Sequence, residues 1–264
     1  MKRITPTDAI QLTAARPLIL MLDIDGTLCE IVECVDDAVI PSSARQALEV
    51  LARGARAGVY LAFVTGRSIT DARRMVGLEG VVIYGNHGME RLDASGTIHG
   101  PEGWEEMGRN LRSAAREIVR VLATMRGSTL EDKRLTLSVH YRGMDMNALP
   151  ELQHSVSEIA RRYSLRMSPG KCVINLAPSA ATGKGAAALE FVRDIAARND
   201  VETPSILFAG DDITDEDAFE ALSRFPQAVT VRVGDADADS AARYAMDSPG
   251  DVHQLIASIA AGLS

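Results

Sequence analysis

Two aspartates two residues apart, Asp23 and Asp25, follow directly on the apolar run Leu18-Ile19-Leu20-Met21-Leu22 and precede Gly26, Thr27 and Leu28. Apolar residues in an unbroken row that ends abruptly in acid read as a buried central strand. The C-terminal end of such a strand is where an open α/β sheet places its chemistry. Alternation along the strand sets Asp23 and Asp25 on one side and turns Ile24 away. Gly26 permits a sharp exit, and Thr27 offers a hydroxyl or a backbone N–H to an anion. Carboxylates this close repel, so the pair needs a cation, a proton on one member, or both. That is the layout of an aspartyl nucleophile with an acid/base partner two residues on.

The run Asp23-Ile24-Asp25-Gly26-Thr27 after an apolar strand resembles the signature of the haloacid dehalogenase (HAD) phosphatase superfamily. Three further pieces belong with it. Thr65 follows the apolar run 59–64, and its hydroxyl can hold a phosphoryl oxygen while Gly66 lets the backbone come close. Lys184 stands near the start of a helical pattern, where its ammonium and the helix dipole both favour an anion. Gly210-Asp211-Asp212-Ile213-Thr214-Asp215 follows the run 205–209. Separately an Asp-Asp is an ordinary turn, Thr-Gly-Arg an ordinary loop and one lysine an ordinary surface charge. Their order after successive apolar strands is what carries the reading.

Oxygen donors without His or Cys suit Mg²⁺. We assign an oxygen of Asp23, the main-chain carbonyl of Asp25 and Asp211 as ligands, with Asp212 and Asp215 orienting them. Thr182-Gly183-Lys184-Gly185 does not make a P-loop, because Pro178 stands at the first glycine of that motif and Gly185 replaces its Ser/Thr. The chemistry implied is phosphoryl transfer to Asp23, with Lys184 neutralising phosphoryl oxygens and Thr65 orienting them. Asp25 protonates the leaving oxygen and later takes a proton from the hydrolytic water.

The elements that must position these groups follow from periodicity. Strand 18–22, helix 41–57, strand 59–64, helix 68–76 and strand 81–84 spell a parallel sheet with right-handed crossovers. The pattern then changes to a long helix over 102–126, β-rich runs at 128–132 and 135–141, a helix over 148–163, and strands 165–168 and 172–176 about a turn. Short strands joined by tight turns make an antiparallel sheet covered by helices on one face. Alternation resumes with helix 183–198, strand 205–209, helix 215–224, strand 228–233, a short helix at 238–243, a β-like 244–246 and helix 252–261. The expectation is an α/β fold: a HAD-like Rossmannoid core with a mainly parallel sheet, 1–102 and 179–264, interrupted by a smaller inserted α+β cap domain, 103–178.

With 264 residues, 46% of them hydrophobic, the chain is long enough for a large core and a second unit. A net charge of −8, 4% aromatics and no basic run argue against a nucleic-acid partner. They leave room for an anionic substrate, since a metal and a few local cations reverse the field within a cleft. Cys29, Cys34 and Cys172 lack disulfide or metal-ligand spacing, which fits a reducing compartment. No signal-peptide core and no stretch near the roughly 20 apolar residues of a membrane span is present. The reading is a cytoplasmic monomer with no membrane partner and a small sugar phosphate as substrate.

Leu130-Glu131-Asp132-Lys133 and Val139-His140-Tyr141-Arg142, within the insertion, resemble cap motifs of trehalose-6-phosphate phosphatases. Residues 85–90 and 210–216 are similar to core motifs of that family, and Gly170-Lys171-Cys172-Val173 matches the start of a further one, so the resemblance runs from about 18 to 232. It implies Mg²⁺-dependent hydrolysis of trehalose 6-phosphate to trehalose and phosphate. Glu131, Lys133, Arg142 and Lys171 would reach sugar hydroxyls and phosphate from the cap, and Arg67, Asn86 and His87 would contact the ligand from the core. One position departs. Where the family pattern carries a sugar-gripping Glu, this chain has Asn175, which still hydrogen-bonds but lacks the strengthening charge. That points to weaker trehalose binding or to another glycosyl phosphate, of the glucosylglycerol or mannosylglycerate type. Two other classes compete: a receiver-like module that stores phosphate on an aspartate, and a non-catalytic sugar-phosphate sensor. The receiver needs neither Asp25 nor the insertion, and the sensor needs no intact Asp23/Asp25 pair.

Overall fold

The computed structural model of the chain describes residues 1–264 apart from 33–36, 101–102, 134, 171, 180–182, 237 and 264. In chain order the elements are β1 (Lys2–Arg3), α1 (Pro6–Leu12), β2 (Leu18–Leu22), α2 (Ser42–Ala52), β3 (Val59–Val64), α3 (Ile69–Val76), β4 (Val82–Gly85), β5 (Glu90–Leu92) and β6 (Ile98–His99). There follow α4 (Trp104–Leu122), β7 (Thr129–Asp132), β8 (Leu137–His140), α5 (Leu149–Arg162), β9 (Leu165–Gly170) and β10 (Val173–Pro178). The chain closes with α6 (Lys184–Asn199), β11 (Ser205–Gly210), α7 (Ile213–Leu222), β12 (Val229–Val233), β13 (Tyr244–Met246) and α8 (Pro249–Ala261). Two compact units result, one from Met1–His99 with Thr182–Ser264 and the other from Gly100–Ala181.

The first unit is built on one sheet ordered β1-β13-β12-β11-β2-β3-β4-β5-β6. Pairing is parallel from β1 through β4 and antiparallel at β4–β5 and β5–β6. Period-two alternation divides the central strands between two cores. Leu18, Leu20 and Leu22 of β2, Leu61 and Phe63 of β3 and Leu207 and Ala209 of β11 face a cluster shared with α2, α3 and α8. Ile19 and Met21, Ala62 and Val64, and Ile206 and Phe208 face the other, shared with α6 and α7. Strands apolar on both faces are therefore the expected outcome of helices on both sides.

The second unit is a sheet ordered β7-β8-β10-β9, antiparallel throughout. Leu137, Val139, Ile174 and Leu176 on one face pack with Leu111, Ala114 and Ile118 of α4 and Leu152, Val156 and Ile159 of α5. The opposite face is polar.

Three local features differ from the expectations. The helix expected over 41–57 stops at Ala52 and continues as a tight 3₁₀ turn, Gly54–Ala57. The hairpin of β5 and β6 extends the sheet at its edge, where the sequence is too short and mixed to show a period. No helix forms at 238–243 among the described residues. The N–H groups there are taken elsewhere: Ala241 donates to Glu216, Ala242 to the Ser240 hydroxyl and Arg243 to Thr230. Side-chain acceptors have outcompeted the i→i−4 ladder.

Because Leu20 is fully buried in the centre of β2, Leu20→Ala is expected to cost about 2–5 kcal/mol, read as a lowered urea midpoint with an unchanged slope.

Candidate active site

The register of β2 beside β11 pairs Leu22 with Ala209, so the residues that follow each strand, Asp23 and Gly210-Asp211, leave the sheet together. The Asp23 N–H still donates to the Ala209 carbonyl at 2.9 Å. Gly26 lets the backbone turn back with φ +74°, and a Cβ there would lie 2.0 Å from an Asp211 oxygen. The loop after β2 is thus built to admit the Asp211 carboxylate.

Lys184, the first residue of α6, enters the same centre. Its Nζ lies 3.0 Å from Asp23 Oδ1 and 2.8 Å from Asp215 Oδ1, with side-chain exposures of 2%, 5% and 0% for Lys184, Asp23 and Asp215. Asp215 is fixed by its own helix: a capping box joins it to Asp212 at the N-terminus of α7. Its Oδ2 accepts the N–H groups of Asp211 at 3.2 Å and Asp212 at 3.0 Å. Both Asp215 oxygens are therefore engaged, which suits an orienting role. Asp212 turns its carboxylate onto the Ile213 N–H at 2.7 Å.

Asp23, Asp211 and Asp215 bring one oxygen each to within 4.8 Å of one another. Burial drives the Asp23 pKa well above the usual carboxylate range, although the Lys184 charge pulls it back. Burial, reinforced by Asp215 and Asp212, pushes Asp211 up to about 7. Burial also opposes the Lys184 ammonium, but Asp215 and Asp23 outweigh it and raise its pKa. One ammonium thus faces three acids, and the excess negative charge calls for a proton or a divalent cation. An oxygen-only donor set without His or Cys fits Mg²⁺.

At the α6 N-terminus one backbone donor is already taken. Its cap residue, Gly183, offers no side chain, and the Gly185 N–H donates instead to Asp217 Oδ2 at 2.8 Å. A Cβ on Gly183 would sit 2.0 Å from that oxygen. Asp217, unmarked by any sequence pattern, takes that one N–H of the helix start.

The loops after β3 and β4 are stitched together. The Thr65 hydroxyl accepts the Arg67 N–H at 3.1 Å. His87 N–H donates to the Thr65 carbonyl at 2.9 Å, and Asn86 N–H to the Arg67 carbonyl at 2.7 Å. The His87 ring lies against Gly66, where a Cβ would be 2.5 Å from Cε1. Arg67 grips Asp25 with two bonds, Nε to Oδ2 at 2.7 Å and Nη2 to Oδ1 at 2.5 Å. Burial opposes the guanidinium charge, but Asp25 more than compensates and raises its pKa. Asn86 is fully buried and gives its amide to Glu90 at 2.8 Å, so its side chain serves the turn instead of facing a ligand. Behind Asp25, the Cys29 thiol lies 3.8 Å from Oδ1, and His253 of α8 bonds the Leu28 carbonyl at 2.9 Å.

In the second unit the strand registers align Glu131, Ser138, Asn175 and Ser168 in one row across the polar face. The Ser138 hydroxyl donates to Asn175 Oδ1 at 2.9 Å, and His140 meets Glu131 at 3.0 Å. Lys133 lies 3.7 Å from Glu131, and Arg142 is exposed after β8. Lys171 falls outside the described residues. Ser138 was reachable from sequence only through the strand register, which pattern alone does not set; His140 already stood in the motif 139–142, without a role.

A parallel sheet with an acidic centre at its strand ends and an inserted α+β unit defines the HAD phosphatase fold. The chain superposes on a solved HAD-superfamily phosphatase from Bacteroides thetaiotaomicron with a TM-score of 0.57, at 17% identity, covering 93% of this chain and 95% of that one. On the C-terminal domain of trehalose-6-phosphate phosphatase from C. albicans the TM-score is 0.83, at 20% identity, covering 100% and 99%. The profile of the trehalose-phosphatase family matches residues 21–250, and the chain belongs to that family. It is 34% identical over 242 residues to a trehalose-phosphate phosphatase of Mycobacterium tuberculosis, a match over 91% of this chain and 61% of that protein. The chain thus spans about three-fifths of the length of such curated relatives.

The acid cluster makes the metal-free protein sensitive to pH. Asp211, at about 7 when folded, binds its proton more tightly than in the unfolded chain. Between the ordinary carboxylate range and about 7 the folded state holds more protons, so stability falls as pH rises through that window. The melting temperature of metal-free protein is expected to drop from pH 6 to pH 8, and Asp211→Asn to melt higher than wild type at pH 8 with a flatter pH profile.

Proposed function

We propose that the chain is a Mg²⁺-dependent phosphatase that hydrolyses trehalose 6-phosphate to trehalose and phosphate through an aspartyl-phosphate on Asp23. The observation that carries this reading is the buried Lys184 ammonium held on Asp23 and Asp215 beside Asp211. Membership of the trehalose-phosphatase family supports the substrate.

Asp23, the Asp25 main-chain carbonyl and Asp211 would hold Mg²⁺, which when bound supplies positive charge to the phosphoryl oxygens. An oxygen of Asp23 attacks phosphorus in line with the sugar oxygen, and Asp25 gives that oxygen a proton as the bond breaks. Arg67 holds both Asp25 oxygens, so Asp25 would act as the acid only after one of them leaves the guanidinium and takes a proton from water. Water then attacks the aspartyl-phosphate while Asp25 takes its proton, releasing phosphate and restoring Asp23. Lys184 neutralises Asp23 between steps, and Thr65 orients the transferred group. Because phosphate monoesters hydrolyse so slowly unaided, with accelerations approaching ~10²¹, charge neutralisation in a dry site is the dominant contribution. Arg67, committed to Asp25, would act on the ligand through that carboxylate; His87 would contact it from the first unit, and the polar row of the second, with Lys133, Arg142 and Lys171, would read the sugar.

Asn175 favours a second reading of the substrate. Its Oδ1 is committed to Ser138, so the amide offers N–H where the resembled pattern offers a carboxylate. A phosphate of glucosylglycerol or mannosylglycerate then becomes the competitor. Among the described residues no helix is long and apolar enough to cross a membrane. A cytoplasmic protein acting as a monomer is sufficient, since every catalytic group named comes from one chain.

Asp23→Asn is expected to lower phosphate release by roughly 10⁴-fold or more, the scale for losing a covalent nucleophile. Full activity of that variant would defeat the mechanism. Phosphate release over a panel of glycosyl phosphates, with Mg²⁺ and with a chelator, tests the substrate and the metal together. Asn175→Glu should shift preference within the panel toward trehalose 6-phosphate while turnover of p-nitrophenyl phosphate stays within about threefold, because the change adds one charge-assisted hydrogen bond to the sugar alone.

A further inference from the structure

The turn 86–88 holds consecutive residues in the left-handed region, with φ +48° at Asn86, +59° at His87 and +97° at Gly88. Side chains rarely tolerate this, and such a conformation persists only where the surroundings over-determine it. Besides the backbone bonds to Thr65 and Arg67, the turn is held by Glu90, buried to 6% exposure at the start of β5. One oxygen, Oε2, accepts both the Asn86 amide at 2.8 Å and the Ile69 N–H at 3.3 Å. Ile69 opens α3, so its N–H is one that no helical carbonyl can serve. A single atom therefore ties the turn after β4 to the helix start that follows Arg67. The same two segments meet again where Asn86 N–H donates to the Arg67 carbonyl. Gly85 packs against Ile69 so closely that a Cβ would lie 2.9 Å from its nitrogen.

We infer that Glu90 is a positioning residue for the phosphatase proposed above: its Oε2 sets the segment 65–69, and through it the Thr65 hydroxyl and the Arg67 guanidinium that holds Asp25. Glu90 touches no reacting atom in this account. Its kinetic consequence rests on the phosphatase reading, but its structural consequence does not.

Two variants separate the acceptor oxygen from shape. Glu90→Met matches the length and packing but offers no strong acceptor, whereas Glu90→Gln can place its carbonyl oxygen where Oε2 stands. With p-nitrophenyl phosphate, which carries no sugar, Glu90→Met should lower kcat by roughly ten- to a hundred-fold with little change in KM, as small misplacements of catalytic groups do. Glu90→Gln should stay within about threefold of wild type. Amide hydrogen exchange in both variants supplies the second readout: in Glu90→Met exchange should quicken at 65–69 and 85–88 and remain as in wild type along β2 and β11. Wild-type kcat per folded molecule in Glu90→Met, equal damage in Glu90→Gln, or exchange that quickens everywhere or nowhere would each overturn the inference. If wild type releases no phosphate from any substrate, the phosphatase reading fails, and the exchange pattern still decides whether Glu90 holds this segment.

Discussion

A lysine ammonium sealed from water between two carboxylates is the interaction on which this molecule's candidate chemistry depends. Taking such charges out of water costs several kcal/mol per ion unless their geometry repays it. Lys184 repays it by meeting Asp23 and Asp215 at once, at 3.0 and 2.8 Å. The arrangement is left two positive charges short when all three acids are ionised, because Asp211 joins the same group of oxygens. Neither helix nor sheet creates that imbalance alone. It arises because β2 and β11 are neighbours in register, while α6 and α7 pack so that residues from both reach the same strand ends.

The surrounding backbone reads as scaffolding for that charge balance. Asp215 takes two N–H groups from the turn preceding its own helix, so the loop that presents Asp211 cannot drift from the residue that anchors Lys184. Asp217 holds the first turn of α6 from the same helix. On the other side, Arg67 fixes Asp25 while its own carbonyl is fixed by Asn86. Each catalytic candidate is thus held by a neighbour that is itself held by the main chain, the condition for groups to be pre-placed for a transition state.

Much of this was legible in the amino-acid order. Strands such as 18–22 and 205–209 announce themselves because burial on both faces demands an unbroken apolar run. Asp23 and Asp211 are legible because parallel strands deliver their exits to one edge, and Lys184 because it opens the helix that follows the insertion. What could not be read is the chemistry that acts through space without a period. Glu90 and Asp217 each meet a backbone N–H on another element, and no spacing rule encodes such a meeting. The helix expected at 238–243 failed for the same reason, since Glu216 and Thr230 capture the donors it needed. Asn86 looks like a ligand contact by its company in the motif, and its burial is visible only once β5 lies beside β4.

The tight apposition of α6 and α7 carries a last implication, for how such a chain can diversify. At Gly185 even one added carbon would fall 2.4 Å from the Asp217 carbonyl oxygen, so this helix contact has no spare volume in which a new side chain could be sampled. The polar row of Glu131, Ser138 and Asn175 is different, since exchanging one polar side chain there leaves the lysine and its acids untouched. Variation is therefore channelled into the polar face of the inserted sheet, and the buried lysine with its acids is left as it stands.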